Sequence, residues 1–296
     1  MIIHTPVLKK EVLEYLDPMP NENFVDCTIG EGGHTKLILE KNSPNGKVLG
    51  IDLDPAQIES DKWLMADYKD RLILENNSYV NLKEIIERKK IGEVNGVLLD
   101  LGMSSVHLEG SQKGFSFQLD QSLDMRYDDR LNDLTAEKII NEWPEERIEK
   151  IIEEYGEEKF ARKIAKKIVE ERRKGRIKST FQLVNIIKEV IPNKFQNGKI
   201  HCATRTFQAL RIAVNAELEN VEKVLPQAIS VLSPNGRLVV ISFHSLEDRI
   251  VKKFLNQKAK EGLIKILTKK PIIAEANELG ENPRSRSAKL RAAIKL

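Results

Sequence analysis

Short apolar runs, each closed by glycine or aspartate, alternate with stretches of helical period over the first hundred residues of this chain. Runs of this length bounded by turn residues predict buried parallel strands at 24–27, 47–52, 71–75 and 95–100. Between them the apolar spacing predicts helices at 33–41, 55–67 and 79–90. Such alternation predicts a parallel sheet covered on both faces. It then stops. From about 107 to 205 the pattern is helical, with helices expected at Leu131–Asn141, Glu145–Tyr155, Glu158–Lys174 and Thr180–Val190. Thr135 and Ser179 suit helix N-caps, and Pro144 suits a helix start. Alternation resumes with a helix at Glu217–Leu232, a turn at Ser233-Pro234-Asn235-Gly236 and a strand at Arg237–Phe243. Leu263–Leu267 and Ala288–Ile294 are the expected closing strands. Neither repeats nor low-complexity tracts interrupt this plan.

The chemistry concentrates at 24–54. The string Phe24-Val25-Asp26-Cys27-Thr28-Ile29-Gly30-Glu31-Gly32-Gly33-His34-Thr35 carries a strand into a glycine turn and a helix, and the next strand ends Ile51-Asp52. Glycine admits close approach of the backbone to a ligand. An acid at the second strand tip, about 20 residues on, can accept ribose hydroxyls. The pair implies an adenosine-containing cofactor. Thr35 stands where the dinucleotide fingerprint needs its third glycine, and no Gly-Lys-Ser/Thr follows for a P-loop. A Gly-x-Gly-Gly turn preceded by Asp26 suits a ligand with a ribose and an amino-acid tail, such as S-adenosylmethionine. The plain alternative is a tight strand-to-helix connection. Asp100, which closes Asn95-Gly96-Val97-Leu98-Leu99, adds a third acid to the same rim, where open α/β sheets bind ligands. Helix capping is the alternative for these acids, and Asp54 before Pro55 fits that role better than Asp52 does.

Composition narrows the classes further. Net charge is only +3 although 31% of residues are charged, so any basic surface is local. No apolar run approaches the ~18 residues of a membrane span, and Met1-Ile2-Ile3-His4 has no leader pattern, so a cytoplasmic protein without membrane attachment is expected. Cys27 and Cys202 lack metal or redox spacing, which predicts reduced thiols and no metal site.

Several longer strings carry a resemblance. They include Gly30-Glu31-Gly32-Gly33-His34-Thr35, Leu99-Asp100-Leu101-Gly102-Met103-Ser104-Ser105 and Leu123-Asp124-Met125-Arg126. Others are Tyr155-Gly156-Glu157-Glu158-Lys159-Phe160-Ala161, Ala203-Thr204-Arg205-Thr206-Phe207-Gln208-Ala209-Leu210-Arg211 and Ser242-Phe243-His244-Ser245-Leu246-Glu247-Asp248-Arg249. With His4-Thr5-Pro6-Val7-Leu8 and Glu281-Asn282-Pro283-Arg284-Ser285-Arg286-Ser287 they run nearly end to end. The chain resembles the bacterial 16S rRNA (cytosine-N4)-methyltransferases of the RsmH (MraW) family. Cys202 departs from the proline expected after His201.

This resemblance implies a Rossmann-like class I methyltransferase sheet with an inserted all-helical domain. The expected division is 1–106 with 206–296 for the S-adenosylmethionine-binding domain and 107–205 for substrate recognition. It implies cofactor contacts at Gly32, Gly33, His34, Asp52, Tyr79, Asp100 and His107. The reaction implied is methyl transfer to the N4 amine of cytosine 1402 in 16S rRNA, within the small ribosomal subunit. That amine is a weak nucleophile, so alignment and hydrogen-bond acceptors carry the expected catalysis. Candidate acceptors are Ser104, Ser105 and His244, with a helix cap as the equal alternative for His244. No general base stands out. The Pro-Pro-aromatic string of DNA amino-methyltransferases is missing after Asp100.

A base inside folded RNA must be splayed out to be reached. Glu158–Lys174 presents a run of lysines and arginines, whose plain reading is a solvated helix face. Arg126, Arg205, Arg211, Arg284 and Arg286 are the residues expected to meet RNA. Phe115 and Phe117 suit either base stacking or a core. Oligomeric state stays open, a homodimer being one alternative. Two other classes compete: an assembly factor that binds RNA without catalysis, against which the intact cofactor residues count, and a nicotinamide oxidoreductase, against which Thr35 counts.

Overall fold

The computed structural model describes residues 5–61, 67–104, 111–196 and 200–296. The chain divides into two compact units, Met1–Gly102 with Leu218–Leu296, and Met103–Glu217.

In the first unit seven strands form one sheet among the described residues. They are β1 (Phe24–Asp26), β2 (Val48–Asp52), β3 (Leu72–Asn76), β4 (Val94–Asp100), β5 (Leu232–Ser242), β6 (Ile264–Ile266) and β7 (Lys289–Lys295), in the order β3-β2-β1-β4-β5-β7-β6. β1 to β5 are parallel, and β7 is antiparallel to both β5 and β6. β1 and β4 are neighbours although β2 and β3 come between them in the chain, so strand order reverses there. In open α/β sheets that reversal leaves a crevice at the carboxyl ends, where ligands bind.

Alternate strand residues feed two apolar layers. Val25, Leu49, Ile51, Val97, Leu99, Leu238 and Val240 face one way, against Leu82 and Ile85 of α4 (Leu82–Lys89), Val224 of α11 (Glu217–Val231) and Val251 of α12 (Ser245–Lys260). Phe24, Val48, Leu98, Val239 and Ile241 face the other way. They meet α1 (Lys9–Leu16) and α2 (Gly33–Lys41), with Ile58 of α3 (Pro55–Ser60). Each fully buried aliphatic side chain contributes about 1.5–3 kcal/mol, so this double layer is what holds the strand tips in register. A short α13 (Ala276–Glu281) precedes β7.

The second unit takes its regular structure from helices, apart from an isolated bridge between Ser122 and Ser179, among the described residues. They are α5 (Ala136–Glu142), α6 (Glu145–Gly156), α7 (Ala161–Arg172), α8 (Thr180–Val190), α9 (Asn193–Gln196) and α10 (Thr204–Asn215). They enclose their own core, which includes Ile139, Ile148, Ile152, Ile164, Ile168, Leu183, Ile187, Phe207 and Leu210. Thr135 and Ser179 both cap helices, Ser179 in a full capping box with Gln182.

Several boundaries differ from the sequence reading. The helix expected from Leu131 begins at Ala136, because Thr135 is its cap and the Asn132 side chain accepts from the Leu134 N–H at 2.8 Å. The helix expected from Glu158 begins at Ala161, because Glu157 takes the left-handed conformation that ends α6 and the Glu158 carboxylate accepts from the Phe160 N–H at 2.9 Å. The turn at 233–236 lies inside β5, with Asn235 at φ 65° and the register against β4 shifted there. The helix expected at 55–67 is described only as α3, since 62–66 lie outside the described residues. α10 packs on α6 and so belongs to the helical unit, where the sequence reading ended that unit at 205. Among the described residues no helix is long and apolar enough to cross a membrane.

Candidate functional site

The turn after β1 is built by hydrogen bonds to three strand tips. Asp26 is buried at the end of β1 and accepts from the Thr28 N–H at 3.2 Å and from Thr35 Oγ1 at 2.8 Å. Burial raises its pKa, opposed by His34 and by the hydrogen bonds from Thr35 and Thr28. Thr28 Oγ1 in turn accepts the Asp100 N–H at 2.7 Å, which pins the turn to the tip of β4. Gly30 and Gly32 take φ of 53° and 72°, a conformation costly for side chains with a Cβ. Gly32 then serves as the N-cap of α2, so a helix start faces the crevice.

Asp52 at the tip of β2 accepts the Gly30 N–H through Oδ2 at 3.0 Å and the Asp54 N–H through Oδ1 at 2.9 Å. Asp54 is the N-cap of α3, accepting from the Ala56 N–H at 2.8 Å. The Asn76 side chain at the end of β3 and the Asn77 N–H after it donate to the Asp52 carbonyl at 3.0 Å each. Asp100 accepts the Gly102 N–H at 3.0 Å, and His34 Nε2 lies 3.6 Å from its Oδ2. Gly32, Gly33, His34, Asp52 and Asp100 are therefore brought to the rim of adjacent strands. Tyr79 opens a single helical turn after β3 and packs, half-buried, on the core layer of α4.

One feature of this rim has no signal in the sequence. Among the described residues, nine buried side-chain polar atoms have no hydrogen-bond partner, and six of them are Glu31 Oε1, His34 Nδ1 and Nε2, Gln57 Oε1 and Nε2, and Asp61 Oδ2. Unpaired buried polar atoms cost about 1–3 kcal/mol each, and native proteins rarely gather them without a use. Burial, then the charges of Asp52, Asp26 and Glu31, push the Asp61 carboxyl up to about 8. The rim thus carries both donors and acceptors without partners and is rich in acid. It fits a cofactor that carries hydroxyls, an amine and positive charge, as S-adenosylmethionine does, and it disfavours a pyrophosphate.

His244 is the N-cap of α12. Its Nδ1 accepts from the Glu247 N–H at 3.4 Å, while Glu247 Oε2 accepts the Phe243 and His244 N–H groups at 2.8 and 3.3 Å. The capping alternative for His244 is realised. Asp248, one residue on, forks with the buried Arg291 of β7 at 2.6 and 3.2 Å. Ser104 is half-buried and belongs to the helical unit; Ser105 and His107 lie outside the described residues.

Three of the arginines expected to meet RNA make internal bonds within the helical unit. Arg126 forks with Asp124 at 2.8 and 2.7 Å and donates to the Asn132 carbonyl at 2.8 Å. Arg211 forks with Glu217 at 2.8 and 2.9 Å. Arg205 donates to the Glu157 carbonyl at 3.0 Å. Arg284 and Arg286 lie in the short helical turn before β7, in the sheet unit, with Arg286 exposed. The charge run of α7 separates in the same way. Lys167 bridges Glu171 and Glu189, and Arg172 caps the Ile140 and Trp143 carbonyls. Lys159, Arg162, Lys163 and Lys166 are exposed. Phe115 stacks on Tyr127 and Phe117 on His201, both against the helical core.

Comparisons with known proteins agree with this geometry. The chain is 46% identical over 291 residues to the "Ribosomal RNA small subunit methyltransferase H" of Sulfurihydrogenibium sp. (strain YO3AOP1), covering 98% of each chain. It is 43% identical over 309 residues to the protein of the same name from Heliobacterium modesticaldum, covering 99% of this chain and 98% of the relative. A Clostridium thermocellum crystal structure, described as that of a candidate rRNA-methylase, superposes with a TM-score of 0.51 at 13% identity, covering 99% of this chain and all of the other; at that identity it bears on the fold alone. The model of the MraW methylase family matches residues 1–296. A glycine turn, an acidic rim at the strand reversal and full-length similarity thus converge, and the chain belongs to the MraW methylase family.

Proposed function

We propose that this protein transfers the methyl group of S-adenosylmethionine to the exocyclic N4 of a decoding-centre cytidine, C1402 of 16S rRNA, in the small ribosomal subunit. It is an S-adenosylmethionine-dependent rRNA methyltransferase. The observation that carries this reading is the acidic, partner-poor rim at the β1–β4 reversal in a chain matched throughout by the MraW methylase family. Its site of action is the cytoplasm, where ribosomal subunits mature in bacteria.

Gly32 and Gly33 expose backbone to the amino-acid tail. Asp52 takes the ribose, Tyr79 supplies a ring for adenine, and His34 and Asp100 line the remaining side of the pocket. When bound, the cofactor supplies an electrophilic methyl group on a sulfonium. The cytosine amine attacks poorly because its lone pair is delocalised into the ring. The protein therefore works by alignment, which can be worth about 7–11 kcal/mol, and by acceptors that orient the two amine hydrogens. Ser104 and Ser105 follow β4 and are the acceptors we favour. His244 sets the β5–α12 corner through Glu247 and acts by positioning. Arg284 and Arg286, with the exposed basic residues of α7, bind phosphate.

The test is incubation of ligand-free protein with labelled S-adenosylmethionine and small subunits from a strain lacking the enzyme, followed by nucleoside mass spectrometry. Label in N4-methylcytidine or its 2′-O-methylated form is expected. Cofactor binding without label in any cytidine would overturn the substrate assignment, and absence of cofactor binding would overturn the enzyme.

A further inference from the structure

Gln57 and Asp61 lie one turn apart on α3 and its C-cap, joined by the Asp61 N–H donating to the Gln57 carbonyl at 3.0 Å. Both are 1% exposed. Both amide atoms of Gln57 and one carboxylate oxygen of Asp61 have no partner in the protein. A helix facing a core should carry apolar side chains there, as Ile58 does toward the Phe24–Val48 layer. Two polar groups at these places cost stability and make no compensating bond within the chain.

Their surroundings say what they address. α3 is fed directly by β2, whose tip is Asp52, and Asp61 senses the charges of Asp52, Asp26 and Glu31. A cation is not the answer, because these four acids do not converge at metal-ligand spacing among the described residues. In such pockets the acid at the second strand tip meets the ribose, and α3 starts three residues after Asp52. An adenosine presents hydroxyls, ring nitrogens and an amine, a mixed set that an amide and a carboxyl can match.

We propose that Gln57 and Asp61 are nucleoside-binding residues of this enzyme, forming a polar shelf beside Asp52 that hydrogen-bonds the adenosine part of the cofactor. The proposal rests on the cofactor reading above and adds two residues to it. A shelf of this kind stays unsatisfied until the nucleoside arrives, so affinity comes from bonds the free protein cannot make by itself.

The test uses the full chain, freed of carried-over ligand. Calorimetry measures S-adenosylhomocysteine and 5′-methylthioadenosine, which lacks the amino-acid tail, against wild type, Gln57→Leu, Gln57→Met, Asp61→Leu and Asp52→Ala. Melting of the ligand-free proteins is recorded alongside. Gln57→Leu, Gln57→Met and Asp61→Leu are expected to weaken both ligands by the same factor, about tenfold, for a loss of ~1.4 kcal/mol, while the ligand-free Tm holds or rises. Unchanged affinities overturn the shelf. So does weakening of S-adenosylhomocysteine alone, which would place these residues on the tail, and so does a lower Tm with intact affinity, which would make them structural. If Asp52→Ala abolishes binding while the α3 variants do not, only the shelf fails. If wild type binds neither ligand, the cofactor reading fails first.

Discussion

Gly30 donates its backbone N–H to Asp52 Oδ2 at 3.0 Å, so the glycine turn after β1 and the acidic tip of β2 are one construction. The other oxygen of Asp52 holds the Asp54 N–H, and with it the start of α3. Asp52→Ala therefore does two things. It removes the carboxylate proposed to take the ribose, and it releases the backbone of the glycine turn. Loss of two charge-assisted bonds costs about 1.5–3 kcal/mol each at the upper end. A drop of at least tenfold in S-adenosylhomocysteine affinity is expected by calorimetry, together with a fall of several degrees in Tm. A variant with full stability and weakened binding would mean that the turn does not depend on this carboxylate.

A second relationship changes how an arginine is tested. At the end of α6, a Cβ on Gly156 would sit 2.7 Å from the Arg205 carbonyl oxygen, while Arg205 donates to the Glu157 carbonyl and Gln208 to the Tyr155 carbonyl. Two strings far apart in the sequence thus build one helix joint. Gly156→Ala is expected to destabilise by about 1–3 kcal/mol through overpacking, read as a lower denaturation midpoint at unchanged m-value. Arg205→Ala should lose about 1 kcal/mol through the missing cap bond and leave cofactor affinity intact. Its methylation of small subunits should fall further than stability accounts for; activity that tracks the folded fraction would leave Arg205 with the joint alone.

These cases mark what was legible in the sequence. The strand tips and the glycine turn were readable because their signals are local: an apolar run, a glycine, an acid, each within a few residues. Asp54 as a cap was readable for the same reason. The internal bonds of Arg126, Arg205 and Arg211 were not, because the sequence does not show which carboxylate or carbonyl, up to 48 residues away, an arginine will meet. Gln57 and Asp61 were invisible, since a polar residue in a short helix is informative only once the inner face is known. His244 sat between two readings until the reciprocal bonds with Glu247 made it a cap.

The helical unit should be sensitive to acid. Burial alone would raise Asp124, but its hydrogen bonds from Arg126 outweigh that and hold its pKa below the usual carboxylate range. Arg130 does the same for Asp128, against the opposing effect of burial. A carboxylate with a depressed folded-state pKa contributes stability that is present above the unfolded value, near 3.8, and is lost as pH falls through the folded value. Stability should therefore hold above about pH 5 and fall below about pH 4. Asp124→Asn should lower the unfolding free energy at pH 7 by about 2 kcal/mol, the worth of a hydrogen bond to a charged group. It should also narrow its gap to wild type at pH 3. Denaturant titrations of both proteins at the two pH values check this, and a constant gap would remove Asp124 from the acid transition.

Asp61 gives the opposite dependence. Its carboxyl is pushed up to about 8, first by burial and then by Asp52, Asp26 and Glu31. In the unfolded chain it ionises near 3.8. Between those values the folded protein holds a proton that the unfolded chain has released, so stability falls as pH rises across the window. Asp61→Asn keeps a neutral, similarly shaped group and removes the titration. The variant should match wild type only below about pH 4, already lead it at pH 5, and gain on it steadily up to about pH 8, above which the difference levels off. Melting temperatures of ligand-free wild type and Asp61→Asn at half-unit steps from pH 5 to 8.5 measure this. Parallel curves would show that Asp61 titrates near its unfolded value, in water rather than in the acidic rim of Asp26, Glu31 and Asp52.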